Sequence, residues 1–221
     1  MMNVATWLYG SSARGDSTEC SDVDVLVVGG EPPEGLSYRF CGRRLSLSRY
    51  SWPEFQHMVS YGSLFAQHIK QEGRPLDQSQ GSTTELPALL STLPPYRYVQ
   101  RDIRAFQASV DDIREECSSP VSLPFELANV AALVRRIGIL GAYVDGKPSF
   151  GRYEPVTHIV ENWSLATSIA LEFPALYQFR LAARGASVAL TGNPSHLLQL
   201  WLARAQTLLD ALKERYGESS D

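Results

Sequence analysis

Two short apolar segments on either side of a polar loop constrain the fold of this chain more than any other feature. Residues 4–9 (VATWLY) and 23–28 (VDVLVV) are rich in the β-branched and aromatic side chains that favour strands. The stretch between them begins with glycine and serine, as loops do. Residues 45–48 (LSLS) alternate strictly and predict a further strand, and over residues 52–71 the period becomes helical. The first part of the chain is therefore predicted to form a small sheet with a flanking helix.

A domain boundary is predicted after this sheet. Residues 78–84 are polar and predicted to be flexible, and the consecutive prolines Pro94 and Pro95 interrupt the chain again. We therefore predict two domains, residues 1–92 and residues 93–221.

The second half of the chain has the periodicity of a helical bundle. Its predicted helices are residues 96–117, 124–143, 163–183 and 194–216. The second of these is the most apolar, which predicts that it is the central helix. Asn193 is expected to cap the last helix, with Pro194 in its first turn. The predicted fold class is therefore α+β: a small mixed sheet with flanking helices, followed by an all-α helical bundle domain.

Composition and charge narrow the class of protein. A chain of 221 residues that is 44% apolar is long enough to bury a core. The formal charge of −4 disfavours a nucleic-acid partner, because proteins that bind nucleic acid usually carry a basic excess. Cys20, Cys41 and Cys117 are widely spaced and odd in number, so we predict neither a disulfide framework nor a zinc site. These features, with no run of about eighteen apolar residues, predict a cytoplasmic protein that is not bound to a membrane.

The loop after the first strand has the composition of a phosphate-binding turn. Gly10 follows the strand directly, and a residue without a side chain lets backbone N–H groups approach a phosphate. Ser11 and Ser12 add hydroxyl groups that can hydrogen-bond a phosphate. Arg14 adds a cation that can neutralise phosphate charge, although solvation or a salt bridge to Asp16 explains it equally well.

Two carboxylates lie at the start of the second strand. Alternation along a strand sends Asp22 and Asp24 to one face and Val23 to the other. Side by side, these carboxylates offer the hard oxygen ligands that Mg²⁺ bound to a triphosphate requires. The order and spacing of the turn and the two acids predict a site for a magnesium-bound nucleotide.

These motifs together resemble a known family. Residues 10–16 (GSSARGD) and 21–27 (SDVDVLV) resemble the signature of the minimal nucleotidyltransferases of the DNA polymerase β superfamily, and residues 62–73 (GSLFAQHIKQEG) resemble the helix that ends their catalytic domain. Residues 123–150 are similar in character to the helical domain of kanamycin-type nucleotidyltransferases. The resemblance implies a small sheet of the polymerase β type.

The resemblance also implies an activity. Members of the family transfer a nucleoside monophosphate from an NTP to an acceptor hydroxyl, and pyrophosphate leaves. We expect Mg²⁺ as the cofactor, with Mn²⁺ as an alternative, ATP as the favoured NTP, and an acceptor on a small molecule, a protein or an RNA. The residues predicted to bind the nucleotide are Gly10, Ser11, Ser12 and Arg14. The residues predicted to bind the metal and to take part in catalysis are Asp22 and Asp24.

One position departs from the family pattern. Members usually place a third carboxylate on the next strand, facing the first two, where it completes a metal site and takes the proton of the attacking hydroxyl. Ser46 occupies that position here. Three outcomes stay open: the helical half supplies the base, with Asp102 and Glu126 as candidates; the acceptor carries its own activating group; or catalysis is lost. The last outcome describes an NTP-binding or partner protein, such as one component of a toxin-antitoxin or regulatory pair.

Two further features bear on partners. Arg152 and His158 have the spacing seen in helical ribonuclease toxins, but Pro155 between them interrupts the helix on which such a pair normally lies. Few residues precede Tyr9, whereas the family commonly has a helix before this strand. One face of the sheet is therefore expected to be less covered, and it is a candidate surface for a homodimer or a partner protein.

Overall fold

The protein consists of a sheet-containing unit followed by a helical unit. The computed structural model describes residues 4–17, 21–36, 38–41, 43–76, 82–116 and 122–218. It divides into two compact units, Met1–Tyr98 and Val99–Asp221. The predicted boundary after residue 92 lies shortly before this division. The predicted α+β class is confirmed, since the first unit carries a mixed sheet and the second is helical.

The sheet has four strands in the order β3-β2-β1-β4. The strands are β1 (Ala5–Tyr9), β2 (Val23–Val28), β3 (Leu45–Tyr50) and β4 (Arg74–Pro75). β1 pairs antiparallel with β2 and with β4, whereas β2 pairs parallel with β3. The three predicted strands are therefore present, and the parallel pair places β3 at one edge of the sheet, beside the strand that begins after Asp22.

Alternation along the strands gives the sheet two apolar faces. One face packs against the helices of this unit and includes Trp7, Tyr9, Leu26, Val28, Phe55 and Ile69. The other face includes Val23, Val25, Val27 and Leu36, with partly buried Leu8, Phe40 and Leu45 against them. Because Asp24 is an even-numbered residue of β2, it shares the helix-covered face with Leu26 and Val28.

A short helix stands where the sequence predicts a loop. Residues Gly10–Arg14 form α1, and Gly15 ends it in the left-handed region at φ +85°. The Ser11 carbonyl oxygen accepts from the backbone N–H groups of Gly15 and Asp16, which closes the turn. The prediction of an irregular loop at this position was wrong, because a single helical turn needs no apolar periodicity and is invisible to that signal.

The predicted helix over residues 52–71 is two helices, α2 (Trp52–Ser60) and α3 (Leu64–Glu72). Gly62 breaks it at φ +69°, where an added Cβ would lie 2.3 Å from the carbonyl oxygen of Pro94. Ser63 then caps α3 by accepting from the backbone N–H of Ala66. The single-helix prediction was wrong because the contact that requires the break comes from a distant part of the chain.

A fourth helix of this unit, α4 (Ser82–Ser91), was not predicted. Part of the segment predicted to be flexible, residues 78–81, lies outside the described residues, and the rest belongs to this helix. Leu86 and Leu90 of α4 are buried in the helix-covered face of the sheet. Apolar packing of these two side chains therefore accounts for a helix in a stretch that begins with polar residues.

The helical unit contains the four predicted helices and one more. Its helices are α5 (Val99–Glu116), α6 (Leu123–Val144), α7 (Glu154–Asn162), α8 (Ser168–Ala183) and α9 (Pro194–Glu218). The prediction that α6 is central is confirmed, because it packs against α5, α7, α8 and α9. The Asn193 cap is also confirmed, since its side-chain oxygen accepts from the backbone N–H of Ser195 at 3.0 Å. The additional helix, α7, carries Pro155 in its first turn, where proline is tolerated.

Among the described residues, α6 is long and apolar enough to cross a membrane by length and composition. Of its most apolar window, 61% is buried inside the protein. Burial within a bundle explains this composition, because the central helix of a bundle is apolar all round.

Candidate functional site

Asp24 lies at the centre of the predicted site. On β2 it pairs with Tyr9 of β1 on one side and with Ser46 of β3 on the other. Paired residues of neighbouring strands project from the same face of a sheet. The side chains of Tyr9, Asp24 and Ser46 therefore form a row across the helix-covered face, near the end of that face where β1 leads into α1.

Gly10 brings the backbone of α1 against this carboxylate. A Cβ added to Gly10 would lie 2.7 Å from Asp24 Oδ2, and the residue has φ +67°. Both the close approach and the left-handed conformation exclude a side chain here. The backbone of the turn is thus held next to an acidic group, and a cation between that group and a phosphate would complete the arrangement.

Ser12 carries a buried hydroxyl group for which the described part of the chain offers no hydrogen-bond partner. A buried hydroxyl without a partner is rare, because the desolvation cost is uncompensated. Ser11, the other predicted phosphate contact, is half-buried at the start of α1. The Ser12 hydroxyl and the backbone of the turn at Gly10 together fit a bound group that accepts hydrogen bonds.

Asp22 lies just before β2 and forms an ion pair with Arg44, the residue that precedes β3. Arg44 Nε is 3.7 Å from Asp22 Oδ1; the Asp22 side chain is 16% exposed and the Arg44 side chain 72%. A contact this long on an exposed guanidinium is weak. Arg44 therefore partly compensates the charge of Asp22, and a divalent cation can compete with it.

Ser46 stands beside Asp24 in the register of the parallel pair, where the family resemblance places the third carboxylate. Its neighbours on the same face of β3 are Ser48 and Tyr50, so the strand offers no acid there. Among the described residues there is no group of three or more histidine, cysteine, aspartate or glutamate side chains able to hold a metal ion. Asp22 and Asp24 fit a single nucleotide-bound Mg²⁺, which takes its remaining oxygen ligands from phosphate and water, whereas a second metal lacks its usual carboxylate.

The hydroxyl group of Tyr9 lies on the same face but keeps its proton. It forms a 2.8 Å hydrogen bond with Ser48 Oγ. Burial raises the pKa of Tyr9 to about 12; the hydrogen bond to Ser48 opposes this rise, and the charge of Asp24 adds to it. At neutral pH Tyr9 is therefore a hydrogen-bonding group, and it is no general base.

The raised pKa of Tyr9 makes the free energy of unfolding depend on pH in the alkaline range. An unfolded tyrosine ionises near 10.0, whereas folded Tyr9 ionises at about 12. Stability is therefore retained below pH 10 and falls as the pH rises from 10 towards 12, because only the unfolded chain releases this proton. We expect Tyr9→Phe to reduce the alkaline loss of unfolding free energy and to remove one late-titrating tyrosine from an absorbance titration at alkaline pH. A late phase of equal size in Tyr9→Phe would contradict the assignment.

Arg14, a predicted nucleotide contact, lies in an ion-paired network. Its Nη1 donates to Glu72 Oε2 at 2.5 Å and its Nε to Asp16 Oδ2 at 3.2 Å, and His68 Nε2 donates to the same Glu72 oxygen at 2.9 Å. Burial opposes the charge of both partners; even so, their mutual hydrogen bonds raise the pKa of Arg14, and the bonds from His68 and Arg14 lower that of Glu72. Sequence reasoning missed Glu72, whose one local signal is its four-residue spacing from His68 on α3.

The other residues singled out by the sequence belong to the helical unit. Asp102 pairs with the adjacent Arg101, and Glu126 accepts from Asn129 at 3.3 Å. Either stays a prediction as a catalytic base.

The ribonuclease-like pair is divided between a loop and a helix. Arg152 precedes α7 and stacks near the rings of Tyr153 and Tyr177, each 5.9 Å from its guanidinium carbon. His158 lies within α7 and bonds Asp145 at 3.0 Å, and Trp163 donates to the same carboxylate. Both side chains of the pair are thus engaged in local packing of the helical unit.

A comparison with known protein families finds a match within the first unit. Residues 3–76 match the family model described as a nucleotidyltransferase domain. This segment contains β1 to β4 and every residue of the predicted nucleotide site, and domains of this family typically use a divalent metal ion. No curated protein matches the chain. The resemblance of the helical unit to kanamycin-type enzymes stays a prediction, whereas nucleotidyl transfer is supported as the general function of residues 3–76.

Proposed function

We propose that this nucleotidyltransferase domain transfers a nucleoside monophosphate from a magnesium-bound NTP, with ATP favoured, to an acceptor hydroxyl. The observation that supports the proposal is the placement of Asp24. It lies against the Gly10 turn and beside the edge strand, and Asp22 precedes it by two residues. A carboxylate pair beside an exposed-backbone glycine turn suits a metal-bound triphosphate better than a purely structural role.

The reaction requires few groups from the protein. An oxygen of the acceptor forms a bond to the α-phosphorus, the bond from that phosphorus to the pyrophosphate oxygen breaks, and the acceptor proton leaves. The Gly10 backbone and the hydroxyl groups of Ser11 and Ser12 would hold the phosphates, and Asp22 and Asp24 would hold Mg²⁺, or Mn²⁺ in its place. When bound, the ion neutralises charge on the triphosphate and on the leaving pyrophosphate.

Strand β3 supplies no carboxylate to take the proton of the acceptor hydroxyl. The Ser46 hydroxyl is uncharged at neutral pH, and Tyr9 holds its own proton, so neither accepts a proton readily. The base then comes from the helical half, where Asp102 and Glu126 are candidates, or from the acceptor itself. The rival function is an NTP-binding partner protein without transfer, and the serine at position 46 is the observation that favours it.

Label transfer tests the proposal and separates it from its rival. We expect the wild-type protein, incubated with each α-labelled NTP, Mg²⁺ and a cell extract, to transfer label to an acceptor. Ser46→Asp is expected to increase the rate about tenfold or more, because it places a carboxylate beside Asp24 and general bases typically contribute about 10²–10⁴-fold. Ser48→Asp is the matched control, since it adds the same charge on the same face of β3 but opposite Leu26.

Two outcomes would contradict the proposal in different ways. If the wild type and Ser46→Asp both bind NTP and neither transfers label, the protein is a nucleotide-binding partner. If Ser48→Asp accelerates transfer as much as Ser46→Asp, added charge rather than position explains the gain.

A further inference from the structure

The C-terminal end of α1 is joined to α3 by charged side chains that are largely buried. The side chains of Glu72 and His68 are 10% and 14% exposed, and that of Arg14 is 25% exposed. Glu72 uses one oxygen, Oε2, to accept from both Arg14 and His68. Charge-assisted hydrogen bonds of this kind, shielded from water, are stronger and more rigid than exposed ion pairs.

The N-terminal end of α1 is held by Tyr9, the residue that precedes it. The ring of Tyr9 packs edge-on against His68 and against Phe65, with centroids 5.4 Å apart in each pair. Its hydroxyl group bonds Ser48 of β3. His68 therefore contacts both the residue before α1 and the carboxylate that holds the last residue of α1.

A helix of five residues has no stability of its own, because nucleation costs more than so few hydrogen bonds return. The conformation of α1 therefore depends on what holds its two ends. Gly10, Ser11 and Ser12, which are the proposed phosphate contacts, all lie within this segment. Displacing the Arg14 end of α1 would therefore shift these three residues relative to Asp24.

We infer that Glu72 is a positioning residue of the nucleotide site, which holds α1 in its binding conformation by anchoring Arg14 to α3. This inference rests on the proposed nucleotide site. It also assigns Arg14 a role through Glu72: the guanidinium is committed to two carboxylates, of Glu72 and Asp16, and serves to fix the turn. A free cation that waits for phosphate would not be held in this way.

Affinity for Mg-ATP tests the inference. The dissociation constant is measured by calorimetry on the full chain, well below the melting temperature, for wild type, Glu72→Gln, Arg14→Gln and the double variant. We expect each single variant to bind about tenfold more weakly, because small displacements of binding groups are costly. The double variant is expected to bind no more weakly than the weaker single one, because both changes break the same link.

A matched ion pair and a conservative variant separate positioning from general stability. Glu172→Gln breaks the Arg204–Glu172 pair, which spans 2.8 Å in the helical unit, and is expected to leave the affinity unchanged even where it lowers the melting temperature. Arg14→Lys keeps a cation beside Glu72 and is expected to restore affinity to within about threefold of wild type. If Glu72→Gln does not fold, the two Arg14 variants test the link from its other side.

Several results would overturn the inference. Unchanged binding by Glu72→Gln would show that the turn does not depend on Glu72, and tighter binding would show that Arg14, once released, meets the phosphate directly. Fully additive losses in the double variant would show that the two residues act separately. If the wild type itself binds no NTP, the proposed function fails and this inference fails with it, a result distinguishable from the others because it appears before any variant is made.

Discussion

Replacing both Asp22 and Asp24 with asparagine is expected to abolish the stabilisation of this protein by Mg-NTP. A ligand at 100 times its dissociation constant stabilises the folded state by about 2.7 kcal/mol. In the wild type this gain should require both Mg²⁺ and ATP or GTP, because in the proposed site the ion links the two carboxylates to the triphosphate. The neutral amides of the double variant are far weaker ligands for Mg²⁺. Its melting temperature should therefore not change when Mg²⁺ and an NTP are added together.

A charge-matched variant controls for the change in net charge. Asp111 and Asp210 lie in the helical unit, where their side chains are 53% and 58% exposed. Asp111→Asn with Asp210→Asn removes the same two charges and is expected to keep the full response to Mg-NTP. A wild-type protein that no NTP stabilises, or a site variant that still responds, would remove the basis for a metal-nucleotide site on β2. The measurement is thermal unfolding with and without Mg²⁺ at a fixed NTP concentration.

The sequence predicted those parts of the site that depend on local pattern. Apolar segments flanking a Gly-Ser turn identified β1 and β2, and alternation put Asp24 on the face opposite Val23. The position of Ser46 was inferred from the family resemblance, and the register of β2 with β3 places it beside Asp24. These inferences held because strand period and chain order determine which residues become neighbours in a small sheet.

Features that depend on distant contacts were not predicted. Gly62 lies within the stretch predicted as one helix, and its close approach to the Pro94 carbonyl comes from a distant part of the chain. Glu72 carries no sequence signal of its pairing with Arg14, which lies 58 positions away in the chain. Helical period carries no information about either contact, since both are made by tertiary packing. The same limit applies to α1, a turn too short for periodicity and held in place by its neighbours.

The Gly10→Ala variant is expected to lose nucleotide binding. Two costs coincide at this position. Alanine at φ +67° is strained by about 1–2 kcal/mol, and its Cβ would meet Asp24 Oδ2 at 2.7 Å, so either the carboxylate or the turn must move. Displacement of a metal ligand on the order of 1 Å weakens binding about 100-fold. The affinity for Mg-ATP should therefore fall by about that factor.

Gly146 offers a control with nearly the same backbone strain and no clash. It has φ +70°, and a Cβ added there meets no atom within 4 Å. Gly146→Ala should lower the free energy of unfolding by about 1–2 kcal/mol and leave the affinity for Mg-ATP unchanged. The difference between the two variants then measures the clash with Asp24 alone. Equal affinities in Gly10→Ala and the wild type would mean that the nucleotide does not depend on the close approach of the turn to Asp24, because that approach cannot survive the added methyl group.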